Sequence, residues 1–180
     1  MLQVTIPAGE LYNEETGEFL HTREQRLTLE HSLVSLARWE SRWHKPFLSR
    51  KPKSWEESVD YVRCMTLTQN VDPLCYQFLT KPLMERILAY IDEPMTATTF
   101  SKAEEKRFSR EVITAEVIYY WMISFSIPME CQKWHLARLM TLITVCDRKS
   151  SPGRKMSRKA LAAQNRALNA KRCQEMGTRG

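Results

Sequence analysis

Four histidines and five cysteines are the side chains of this 180-residue sequence that could ligate a metal or act as base and nucleophile. Their spacing argues against both. Among His21, His31, His44 and His135, no two stand at i, i+4 with a glutamate between them, the arrangement that puts two imidazoles on one helical face around zinc. Glu130 precedes His135 on a helical stretch, an ordinary pairing of residue types. Cys64, Cys75, Cys131, Cys146 and Cys173 are scattered, odd in number and lack CxxC spacing, so neither a disulfide framework nor a zinc ribbon is expected. A cysteine nucleophile would need His and Asn or Asp brought to it by the fold, and buried structural cysteine is the plainer reading. The glycine-rich phosphate loops and the serine elbow (GxGxxG, GxxxxGK[ST], GxSxG) do not occur. The sequence is therefore read as that of a non-enzyme, with no catalytic residue, metal ligand or cofactor assigned.

Two cation-rich segments carry the remaining chemistry. In the first, Trp39, Trp43 and Trp55 enclose Arg38, Arg42, His44, Lys45, Arg50, Lys51 and Lys53. Aromatic rings among cations can stack on bases or seat phosphates. Trp39 and Trp43 are also i, i+4 neighbours on an amphipathic stretch, the ordinary arrangement for packing, and Glu40, Glu56 and Glu57 dilute the charge. The second runs from Arg148 to the C-terminus and holds ten Lys or Arg against one acid, Glu175. It carries +9 where the whole chain carries +6, which leaves residues 1–147 at −3. Such an arm could neutralise phosphates, dock on a protein and order as it does so, or stay solvated. Gln164, Asn165, Asn169 and Gln174 interrupt its charges and no aromatic follows Trp134, which favours protein contact over base stacking. The candidate partner-binding residues are Arg154, Lys155, Arg158, Lys159, Arg166, Lys171 and Arg172 in the arm, with Trp39 and Trp43 in the body.

The elements that must position these residues follow from periodicity. Strands fall within residues 2–31. LQVTI is β-branched and stopped by Pro7, Tyr12 and Phe19 flank a loop ending at Gly17 as a hairpin would, and Leu27, Leu29 and His31 alternate as a third short strand. From Ser32 the period turns helical, through Leu33, Leu36, Ala37 and Trp43 with Trp39 at the border, until Pro46. Ser54 with Glu57 makes a capping box for a second helix. Asp72-Pro73 and Thr80-Lys81-Pro82 open two more, the latter closed by Pro94. Residues 95–101 are small and hydroxyl-rich and read as non-helical. Residues 112–127 read as a long buried helix, for which 103–109 is a candidate charged start. Pro128 separates it from another helix, from Met129 to about Asp147. Ser150-Ser151-Pro152-Gly153 is a linker, after which Ser157 caps a basic helix that Gly177 ends.

The expected fold is mainly α (α+β). A short N-terminal β-hairpin or three short strands precede a helical bundle in a body of residues 1–149, then come a linker at 150–156 and a basic helical arm at 157–180. Only five glycines argue against a β-sandwich or a Rossmann unit. The stretch 112–127 holds Glu116 and is shorter than the roughly 20 apolar residues of a membrane span. The N-terminus lacks the basic and apolar regions of a signal peptide, so a reducing cytoplasm is expected.

Read together, LEHSLVSLARWESRWHKPFL (29–48), KSWEESVDYVRCM (53–65), ILAYIDEPMTATTF (87–100), CQKWHLARLMTLITVC (131–146) and NRALNAKRCQEMGTRG (165–180) resemble the tail assembly chaperones of long-tailed bacteriophages. The resemblance spans most of the chain from about residue 29 and rests on no short motif, so it assigns no individual residue. It implies a non-catalytic, mostly helical protein that coats the tape measure protein, keeps that long chain soluble and assists tail tube protein in polymerising around it. It also implies action in the cytoplasm of the bacterial host, absence from the mature virion, and oligomerisation along the client. Many such chaperones exist in a short form and a frameshifted longer one. The competing expectation is a DNA-associated or head–tail structural phage protein that places the basic arm on DNA.

Overall fold

The computed structural model describes residues 1–13, 17–49, 51–99, 112–150, 162, 165–169 and 172–173. The fold is mixed α+β, with four short strands followed by helices. It divides into two compact units, Met1–Val145 and Cys146–Gly180.

Strands β1 (Leu2–Ile6), β2 (Gly9–Asn13), β3 (Glu18–Thr22) and β4 (Gln25–Leu29) form two antiparallel pairs, β1 with β4 and β2 with β3. Among the described residues there are thus four short strands, where a short hairpin or three short strands were expected. The two pairings share one register, from Leu2↔Leu29 through Ile6↔Gln25 and on from Gly9↔Thr22 to Asn13↔Glu18. They are two halves of a single long hairpin, interrupted where Pro7 removes a donor from the ladder. The interruption also changes which face is buried. In the inner half Val4, Ile6, Leu27 and Leu29 point into the core. In the outer half the alternation slips by one residue, so that Thr22 is buried while Tyr12 and Phe19 stand outside with their rings 5.1 Å apart. A one-residue change of phase turns every side chain of a strand to its other face. Two glycines fit the hairpin to its surroundings. Gly17 takes φ +70°, which favours a residue without Cβ, and a Cβ on Gly9 would overlap the Phe78 ring.

Helix α1 (Leu33–Trp43) begins at Ser32, whose hydroxyl accepts from Ser35 N while Ser35 Oγ accepts from Ser32 N. Helix α2 (Trp55–Met65) opens with the expected Ser54/Glu57 box, at 3.1 and 2.8 Å. The chain leaving α2 then lies along the outer edge of β4, with Glu30 N bonding Met65 O at 3.0 Å and Leu67 N bonding Thr28 O at 2.8 Å. An otherwise open strand edge is covered in this way. Asp72-Pro73 starts a 3₁₀ helix, Pro73–Phe78, rather than an α-helix, with Leu74 N donating to Asp72. Helix α3 is Lys81–Ile91 and α4 is Ala115–Ser124. Ile6, Leu27, Leu29, Leu33, Leu36, Trp39, Tyr61, Met65, Ile87, Ile118, Met122 and Leu139 fill one core between the hairpin root and the helices. Each such large apolar side chain contributes about 1.5–3 kcal/mol by leaving water.

Two helical expectations are corrected. The apolar stretch 112–127 is not one long buried helix. It is not helical before Ala115, where Thr114 is extended, and the helix ends at Ser124, ahead of Ser126 at φ +54° and Pro128. The stretch from Met129 is broken as well. A 3₁₀ turn, Met129–Lys133, comes first, Trp134 is extended, and α5 (Leu136–Ser150) starts only after His135. The break is tertiary in origin: Ser32 and His135 form a β-bridge and Leu136 N donates to His31 O at 2.7 Å, so the start of α5 is tied to the start of α1. The possible charged start at 103–109, and the linker and arm helix apart from Ser150 and residues 162, 165–169 and 172–173, lie outside the described residues. Those last described positions are helical.

Candidate partner-binding surface

The aromatic residues near the basic run point inward. Trp39 is 1% exposed, packs edge-on to Phe47 at 5.0 Å and to Tyr61 at 6.5 Å, and donates its indole N–H to Glu57 O at 2.9 Å. Its assignment as a partner-binding residue is therefore corrected: it has no free face, and its role is to hold α1 against α2. Trp43 stacks on Trp39 at 6.1 Å, is partly exposed, and donates to Asp60 Oδ2 at 3.0 Å. The i, i+4 spacing of the two rings serves packing. Of the arm candidates, Arg154, Lys155, Arg158, Lys159 and Lys171 lie outside the described residues, and Arg166 and Arg172 stand on helical positions of the second unit.

The buried acids of the body each have partners. Asp60 accepts from Arg42 and Trp43. Glu57 accepts from Ser54 N and from Lys45 Nζ at 2.6 Å, and these bonds, the lysine's foremost, hold its carboxyl below the usual range. Glu40, on α1, has one oxygen 2.7 Å from Phe47 N and the other 2.7 Å from Ala115 N. Ala115 N is one of the free amides at the start of α4, where the Thr114 hydroxyl makes no cap bond. A carboxylate from another helix takes that place, and it also opposes the positive end of the α4 dipole.

Glu40 thus sets the position of the most apolar helix of the body. Ala115, Ile118 and Met122 bury one side of α4. Tyr120 and Ile123 on the other side are 68% and 70% exposed, and Val112 just before the helix is 61% exposed. Glu116, Tyr120 and Ile123 follow one another at turn spacing, so the two apolar residues and the acid make one outward stripe. Tyr119 ties the helix to the following turn, donating to Gln132 Oε1 at 2.9 Å. The expectation of a wholly buried segment missed this stripe. Its sequence signal was the polar Glu116 and Ser124 on the same side as Tyr120.

A second cluster holds the titratable groups that sequence spacing kept apart. His31 Nδ1 lies 2.5 Å from the Tyr61 hydroxyl, and the His31 and His135 rings meet edge-on at 5.2 Å. His135 Nε2 bonds Tyr90 O at 3.1 Å, and Tyr90 donates its hydroxyl to Glu30 at 2.8 Å. Burial, then the neighbouring His135, pushes the His31 imidazole down to about 3, which keeps it neutral. Burial first, then the bond to Glu30, raises Tyr90 well above the usual phenol range. A cavity of about 320 Å³ adjoins the cluster at His135, Tyr90 and Glu30. The Cys64 thiol is pushed up to about 11 by burial and then by Asp60, which keeps it protonated at neutral pH. Among the described residues, no group of three His, Cys, Asp or Glu is placed to hold a metal ion, and no helix is long and apolar enough to cross a membrane. No protein-family model, curated protein or solved structure matches the chain.

Proposed function

We propose that this protein is a non-catalytic chaperone of phage tail assembly, which binds and solubilises the tape measure protein and assists assembly of the tail tube in the host cytoplasm. The observation that carries the reading is the outward stripe of α4. Tyr120 and Ile123 stay in water on a helix that the fold fixes firmly at its N-terminus through Glu40. Exposed apolar residues on a rigid helix are suited to receive the apolar face of a client helix. The sequence resemblance names the client, a long helical chain that aggregates when uncovered. The test is co-expression with a tape measure protein followed by size exclusion. A soluble complex containing both chains is expected, and an insoluble client with this protein eluting alone would refute the proposal.

A further inference from the structure

The connection between α1 and α2 carries a cavity of about 500 Å³, within the roughly 300–1,000 Å³ typical of ligand pockets. Pro46, Pro52 and Val112 supply its accessible apolar wall, with the buried Trp39 behind them, and Lys45, Lys51, Lys53 and Glu57 are its charged lining. A second recess of about 290 Å³ shares Lys45 and Pro46 with it and reaches Thr114 and Glu116 at the start of α4. The two recesses adjoin at Lys45 and Pro46, and this two-part trough has Glu116, the acid of the outward stripe, at its far end.

Its charge is uneven. Lys45 is occupied by Glu57 at 2.6 Å. Lys51 and Lys53 have no carboxylate within ion-pair distance among the described residues. The Lys53 ammonium is held 4.3 Å from the centre of the Phe47 ring, so it is already positioned. Burial, opposed in part by the nearby Glu57 carboxylate, pulls its pKa below the ordinary lysine value. Glu116 at the other end is the acid that faces out.

We infer that the trough seats an amphipathic helical segment of the client whose apolar side chains enter the cavity and whose flanking carboxylates pair with Lys51 and Lys53. This rests on the chaperone reading and adds to it a chemical preference: the client segment is acidic at the cavity end. Substituting both cations by acids puts like charges opposite such a segment.

The experiment uses the full chain and two fluorescent amphipathic helical peptides with the same apolar stripe, one with a glutamate and one with a lysine polar face, at physiological ionic strength, where the Debye length is about 8 Å. The glutamate peptide should bind more tightly. Lys51→Glu with Lys53→Glu should weaken it by about tenfold or more. Lys81→Glu with Arg86→Glu, the same change of charge on α3, should alter it by less than about twofold, since distant exposed charges are screened. Equal losses in the two variants would overturn the inference, because the net charge or the basic arm would then explain the binding. No loss at Lys51 and Lys53, or no binding of either peptide, would overturn it as well. If those lysines prove inert while the tape measure protein is still kept soluble, only this inference falls. If the client stays insoluble, the chaperone reading falls with it.

Discussion

Glu40 is the residue on which the position of α4 depends, and the cost of removing it follows from its two bonds. Each oxygen accepts one backbone amide at 2.7 Å, from Phe47 and from Ala115, in the interior. Glu40→Ala leaves both amides without a partner, at about 1–3 kcal/mol each, so a loss of about 2–6 kcal/mol is expected. Glu40→Gln keeps one acceptor oxygen, turns an NH₂ toward the other amide and removes the charge at the helix start, for about 1.5–3 kcal/mol. Urea unfolding followed by tryptophan fluorescence measures both, since Trp39 lies in the same core. The ranking should be wild type, then Gln, then Ala. Amide exchange should rise first at residues 115–118, where α4 loses its anchor. A Gln variant within about 0.5 kcal/mol of wild type would show that this carboxylate is dispensable. A Glu40→Ala loss below about 1 kcal/mol would do the same.

Three further outcomes are expected. Because His31 is held neutral to about pH 3 in the folded protein against 6.5 when unfolded, the unfolded chain takes up the extra proton on acidification. The stability from this residue is therefore complete above about pH 6.5 and is lost toward pH 3 at no more than about 1.4 kcal/mol per pH unit. His31→Gln should flatten the stability profile between pH 6 and 5, and parallel profiles would contradict the burial argument. Gly9→Ala should cost about 1–3 kcal/mol by overlap with the Phe78 ring, and the penalty should shrink in a Phe78→Ala background; an unchanged penalty would place its origin elsewhere. His44 ends α1 at φ +50°, so His44→Gly should raise the urea midpoint by the equivalent of about 0.5–1 kcal/mol, and a lowered midpoint would mean that the imidazole has a role of its own.

What the sequence made legible was local. The Ser54/Glu57 capping box, the Asp72 cap before Pro73 and the positive φ of Gly17 depend on neighbours a few residues away, and each is found as read. The helix over residues 33–43 followed from its apolar spacing. What sequence reading missed depends on distant contacts. Glu40 reaches across 75 positions to Ala115, and nothing near either residue announces the bond. The break at Trp134 arises because His135 must bridge to Ser32. The spacing of Trp39 and Trp43 showed that they are neighbours, but spacing does not tell which side of α1 faces the core. For α4, strong hydrophobicity suggested full burial, although hydrophobic content alone does not distinguish a core helix from one kept for a partner. The His31 cluster joins residues from four separate segments and had no local signature.

The most direct measurement of the central claim is the soluble fraction of a tape measure protein co-expressed with wild-type protein and with the variant Tyr120→Glu/Ile123→Glu. Both substituted side chains are already exposed, so the variant should keep its urea midpoint. The expected result is a client that is soluble with wild type and largely insoluble with the folded variant. A client equally soluble with both would contradict the assignment of the α4 stripe as the client-binding face.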